Sequence, residues 1–246
     1  MPIVKDPPRD QSMVAGIDGC RRGWLIVELN LQNQELSVTI EETIAPFLKG
    51  ARQTFSAIMI DMPIGLPDQG RRACEKMARA DLGARRSSVF SVPRRPMLSF
   101  GTYEEANRWG KTRDPSGLGL SKQSWHLIPK IRELDDALTA TDQAFVKETH
   151  PELAFARLRG APCEHSKKSP EGAKERSALL RREGLNTSDC LAGLRDKFPR
   201  KADWLDDDLL DALVLSLSAR AFLVGNAKVL TDGAYDSKGL VMEIWG

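Results

Sequence analysis

The sequence predicts an α/β fold, an antiparallel meander followed by alternating strand and helix units. Three observations carry that prediction. Apolar runs joined by short polar connections fill residues 13–40. Residues 57–60 (AIMI) are apolar throughout, as in a strand buried on both faces. From Ser121 onward, apolar residues recur at helical spacing. At 246 residues, 41% apolar and 28% charged, the chain is long enough to bury a sizeable core within one large domain.

Taken in order, residues 1–12 carry adjacent prolines and mixed charge and read as a disordered lead-in to a single domain over 13–246. Met13–Asp18 is the first strand, Cys20–Gly23 a turn, Trp24–Val27 the second strand and Ser37–Ile40 the third. Ala57–Ile60 follows as a central strand ending in Asp61, before Pro63 and Pro67 break the chain. Residues 70–82 read as a helix stopped by Gly83. Residues 84–120 hold three prolines and read as loop, functional or inserted. Trp125, Ile128, Ile131, Leu134 and Leu138 mark a helix, and Ala144–Thr149 a further strand. Helices are expected at about 151–159, 170–184, 188–198 and 205–224, with small edge strands at Lys228–Thr231 and Val241–Trp245.

Composition excludes several classes. A net charge of +2 is not that of a basic polyelectrolyte. Four cysteines without CxxC spacing read as reduced thiols, and three histidines are too few for a His-rich metal site. The N-terminus has no apolar h-region, and the longest apolar run, 212–225, is interrupted by Arg220. No signal peptide and no membrane span are expected, and the cytoplasm is the expected location.

Three strand candidates run into acids: Asp18, Asp61 and, through His150-Pro151, Glu152. Ligands of α/β sheets bind outside the carboxyl ends of strands, although turns also favour Asp. Asp206, Asp207 and Asp208 fit a helix cap and first turn. Asp211 does not, because Leu209, Leu210, Ala212, Leu213 and Val214 surround it. Asp208 lies three residues before it and Asp207 four, so either can share its helix face. Two carboxylates about 4 Å apart repel by about 4 kcal/mol at an effective dielectric of 20. The compensating cation is either a basic side chain or a metal, and oxygen-only ligands favour Mg²⁺ or Mn²⁺. If these acids converge, Asp18, Asp61, Asp208 and Asp211 suit a two-metal site, with Glu152 a further ligand or proton-transfer group.

Residues 71–100 carry eight Arg or Lys against Glu75 and Asp81, whereas 203–211 holds five Asp. A basic rim beside an acidic cluster would admit a polyanion; a plain solvated surface is the other reading. Arg71, Arg72, Arg85, Arg86, Lys122 and Lys168 are the candidate substrate-binding residues. Trp109 and Trp125 either stack on bases or pack in the interior.

Several motifs in order, "GIDGCRRGW", "IDMPIGLP", "RRACEKMARADLGARRSSVFSVPRRP", "SKQSW…IPKIRELD", "ETHPELAFARLRG", "SKKSPEGAKERSALL" and "DDLLDAL", together resemble the domain-of-unknown-function 429 family over roughly residues 13–225. The resemblance implies a ribonuclease H-like mixed sheet of five strands, flanked by helices, with Asp18 on a central first strand and Asp61 ending the fourth. A loop and helix insertion is then expected around 63–143. The D-x-x-D-A form of Asp208 and Asp211 is similar to the last-helix acids of Holliday-junction resolvases, and Glu152 matches a characteristic family position.

The expected activity is a Mg²⁺- or Mn²⁺-dependent nuclease hydrolysing phosphodiester bonds of DNA or RNA by a carboxylate-held two-metal mechanism. The alternatives are a non-catalytic nucleic-acid-binding module of the same fold and an actin-like ATP-dependent phosphotransferase. The latter repeats its fold twice, and no internal repeat or second glycine-rich phosphate loop is evident. No GxGxxG follows the first strand to suggest a dinucleotide. The oligomeric state stays open, a homodimer included.

Overall fold

The computed structural model describes residues 12–246. Of the lead-in expected over 1–12, residues 1–11 lie outside that range. Ser12 is buried, and its carbonyl accepts a hydrogen bond from Leu31 N at 2.6 Å.

The meander forms from Met13–Gly19 (β1), Trp24–Asn30 (β2) and Leu36–Glu41 (β3), antiparallel in sequence. A helix at Ile44–Thr54 (α1) then crosses over to Ala57–Ile60 (β4), which lies parallel to β1. A long excursion carries helices Ala73–Leu82 (α2), Tyr103–Thr112 (α3) and Lys122–Ala137 (α4), with 3-10 turns at 83–88, 95–99 and 140–144. It returns as Val146–Glu148 (β5), parallel to β4. The sheet order is β3-β2-β1-β4-β5, a five-stranded mixed sheet with β1 at its centre. Helices Pro151–Arg159 (α5), Pro170–Arg182 (α6), Thr187–Lys197 (α7) and Asp206–Leu223 (α8) follow. A separate hairpin of Val229–Tyr235 (β6) and Val241–Trp245 (β7) closes the described chain.

The period-two alternation of strands separates two cores. Ala15, Ile17, Ile58 and Ile60 face one side, covered by α1 through Ile44 and Leu48 and by α4 through Ile131 and Leu134. Val14, Val27 and Met59 face the other, covered by α8 and, beyond it, by α5, α6 and α7. The apolar run of α8 has no polar stripe because residues 209–219 are all buried. A Cβ on Gly16 would lie 2.1 Å from the Ala212 carbonyl oxygen and 2.2 Å from the Ser216 nitrogen. Glycine at that position is what lets α8 sit directly on β1.

The loop and helix stretch expected around 63–143 lies between β4 and β5, and its α4 contributes Ile131 and Leu134 to one core. One sequence expectation changes. The stretch 84–120 holds a true helix, α3, closed by a capping box between Thr102 and Glu105. Among the described residues no helix is long and apolar enough to cross a membrane.

Candidate active site

Strand alternation and register bring the first two acids together. Gly16 pairs with Met59 across β1 and β4, and both face α8. Two residues further on, Asp18 and Asp61 therefore point to the same face side by side. Asp61 N continues the ladder by donating to Ile17 O at 2.9 Å. Because Gly16 seats α8 against β1, the first two turns of that helix bring Asp208 and Asp211 over the same strand ends. Asp18, Asp61 and Asp208 line an open cleft of about 530 Å³, and Asp211 lies behind it, 1% exposed.

One lysine is paired directly with these acids, and Lys130 and Arg21 act on them from further off. Lys167, in the loop between α5 and α6, donates from Nζ to Asp211 Oδ2 at 2.7 Å and lies 3.8 Å from Asp207. Among the described residues, Asp211 Oδ1 is buried without a partner. Burial pushes the Asp18 carboxyl well above its ordinary range, and the neighbouring charges of Asp61, Asp211 and Asp208 add to that while Lys167 opposes it. Asp61 is also raised, by burial first, against the pull of His150 and Lys167. Asp208 rises to about 6, chiefly through burial. Asp211 is raised by burial despite Lys167. Burial would lower the Lys167 ammonium, but Asp211, Asp18 and Asp61 outweigh it and hold its pKa raised. The site carries more negative charge than one lysine neutralises.

Glu152 enters differently from the sequence expectation. It sits in the first turn of α5, whose cap is His150: Glu152 N donates to His150 Nδ1 at 3.2 Å. With Nδ1 accepting, Nε2 is the ring donor, 3.2 Å from Ser88 O. Glu152 lines the cleft, but Arg176 holds its Oε1 at 2.5 Å in a buried pair, and Oε2 is buried without a partner. The strand's own acid, Glu148, is fully engaged by Arg72 at 2.6 and 2.7 Å.

Among the basic candidates, Arg72 is engaged inside the protein: it is 2% exposed and bridges Glu148, Glu75 and the carbonyls of Ile64 and Gly65. Its doublet partner Arg71 is exposed and does not line the cleft, nor does exposed Arg86, although its neighbours Arg85 and Ser87 do. Lys122 is exposed too, with its ammonium 5.7 Å from the Tyr103 ring centroid. Arg85 and Lys168 do line the cleft, Arg85 being tethered to the Cys163 carbonyl at 3.0 Å. Trp109 and Trp125 pack into a satellite core beside Phe100 and Tyr103 rather than into the cleft. None of Asp206, Asp207 and Asp208 is the helix cap. Leu205 is, and Asp208 Oδ2 accepts its N–H at 2.8 Å. Asp206 pairs with exposed Arg195. Cys20, Cys74, Cys163 and Cys190 are all free thiols.

The donor set suits a hard divalent cation: oxygen-only, buried, over-charged, and with unpartnered oxygens on Asp211 and Glu152. The geometry is not closed around one. Among the described residues no three His, Cys, Asp or Glu side chains are gathered as a ready metal cage. The Lys167 ammonium stands against Asp211 instead.

A family model described as a protein of unknown function, DUF429, matches residues 16–236. No curated protein and no solved structure matches the chain.

Proposed function

Since this chain belongs to the DUF429 family over residues 16–236, and that family's description names no activity, we propose from its own residues that it is a divalent-metal-dependent nuclease hydrolysing nucleic-acid phosphodiester bonds. One observation carries the reading: Asp18, Asp61, Asp208 and Asp211 share one face of the sheet, raised together in pKa, at a cleft edged by Lys168 and Arg85. The β1-centred mixed sheet with acids on β1, after β4 and on the last helix supports a ribonuclease H-like assignment.

In this reading Asp18, Asp61, Asp208 and Asp211 hold Mg²⁺ or Mn²⁺. Such ions, when bound, generate a nucleophilic water and neutralise the leaving oxygen. The chain's residues do the rest. Lys168 and Arg85 attract and orient the phosphate backbone. Lys167 offsets part of the acids' mutual repulsion while the cleft is empty. Arg176 fixes the Glu152 carboxylate at the cleft wall, where its free oxygen takes up or passes on a proton.

The test is incubation with linear and branched DNA and RNA in Mg²⁺ or Mn²⁺. Cleavage is expected, and it is lost in chelator and in Asp18→Asn. Absence of cleavage on every substrate, with no Mn²⁺-dependent rise in melting temperature, overturns the reading. The ion pair between Lys167 and Asp211 favours one alternative, a nucleic-acid-binding module in which the lysine permanently takes the cation's place. That module binds nucleic acid equally well in chelator and never cleaves.

A further inference from the structure

We propose that the cleft beside the acids holds one unpaired nucleobase, against Phe90 and Leu127 and read by the Gln123 amide, so that the substrate is a single strand or an extruded nucleotide. The inference rests on the nuclease reading for the placing of the phosphate at the acids, and it deepens that reading by naming the substrate class.

Beside the acids, two further segments line the cleft. Gln123 and Leu127 are four residues apart on α4 and so share a helix face. Phe90 follows the 3-10 turn at 83–88. All three line the same cleft as Asp18, Asp61 and Asp208. Phe90 and Leu127 are only partly buried, packed from one side against the core that contains Ile17 and Ile60. Gln123 is exposed, and among the described residues its amide has no hydrogen-bond partner.

These groups match the chemistry of one ligand part. A nucleobase is flat, apolar on its faces and hydrogen-bonding along its edge. An aromatic ring and a leucine supply the face, and a glutamine amide supplies one donor and one acceptor to the edge. The volume, about 530 Å³, falls among pockets that enclose small-molecule groups, about 300–1,000 Å³. A base inside a continuous duplex has its faces stacked and its edge paired, so it reaches such a wall only when unpaired or extruded. A bare phosphate or an acidic peptide would leave the ring and the amide unused.

The test uses the full chain with Ca²⁺ replacing Mg²⁺ or Mn²⁺, and a fluorescein-labelled single strand of about 12 nucleotides. The same strand annealed as a blunt duplex is the comparison. Anisotropy titrations are expected to show the single strand binding more tightly than the duplex. Phe90→Leu weakens single-strand binding about 5- to 100-fold, Gln123→Ala about 3- to 10-fold, and Phe90→Tyr retains it. Gln123 is an exposed helix position, so its replacement leaves the fold intact. If Phe90→Leu melts early, Gln123→Ala and Phe90→Tyr decide the matter. Equal affinity across these variants, equal affinity for strand and duplex, or binding of neither overturns the base pocket. The nuclease reading falls separately. Base-dependent binding without Mn²⁺-dependent cleavage removes the nuclease and leaves the pocket, whereas cleavage indifferent to both variants does the reverse.

Discussion

Asp208 shows at a single residue how burial and charge oppose each other here. Its carboxyl moves from 3.8 to about 6 on folding. Between those values the folded chain holds a proton the unfolded chain has released, so stability falls as pH rises. Asp208→Asn removes that loss and keeps an acceptor for the Leu205 N–H. The variant is expected to be more stable by about 1–2 kcal/mol near pH 7.5, a figure reduced because the residue is partly exposed and screened. The gain shrinks towards zero near pH 3.5, and urea titrations at the two pH values measure it. Lys167 gives the converse. Lys167→Met leaves Asp211 buried and unpaired and is expected to cost about 2–3 kcal/mol, less than a fully buried pair because the lysine side chain is 36% exposed. Asp211→Asn in the same chain restores most of that, and a double-mutant cycle by thermal melting reads the coupling. At this scale the sequence was partly legible. Asp211 stood out because nothing local explained an acid in an apolar run. Lys167 and Lys168 are indistinguishable on paper, and only the path of the loop between α5 and α6 decides which one meets the acids. Arg72 looks like surface in a basic run, and its burial depends on Glu148, a partner 76 residues away.

The seat of α8 on β1 is the decisive element-level contact. Gly16→Ala would place a methyl 2.1 Å from the Ala212 carbonyl. The expected result is a loss of about 3 kcal/mol or more, as in the worst overpacked cores, measured by calorimetry, together with loss of any Mn²⁺-induced stabilisation as the helix acids move off the strand acids. Strands and long helices were readable because their periodicity is local: the meander, the AIMI strand and α8 fall within a residue or a few of their expected limits. Two helices were not. α1 contains Pro46 and Gly50 and follows a strand directly, so its helical signal is weak. α3 carried a readable signal, Thr102 followed three residues on by Glu105, hidden by the prolines around it. The role of α4 as a core helix was illegible for another reason: which sheet face a distant helix covers is a matter of topology, not of its own period.

Over the whole molecule, net charge and cleft composition point to modest electrostatics. The chain carries only +2, and of the candidate substrate-binding residues Arg85 and Lys168 edge the cleft. Single-strand binding with two to three phosphate contacts gives a slope of about −1.4 to −2 for log affinity against log salt. Anisotropy at a series of KCl concentrations measures it. A slope much steeper than that would mean that Arg71, Arg86 and Lys122, outside the cleft, also engage the backbone.

The acids gathered on one face of the sheet come from opposite ends of the chain, Asp18 and Asp61 from its first quarter and Asp211 from its last. During synthesis the strands exist long before the helix that completes the cluster leaves the ribosome. A nascent or prematurely stopped chain therefore has only the strand half of the cluster. Completion gathers it: the same seating of one helix on one glycine that finishes the core also brings the last acids to the first.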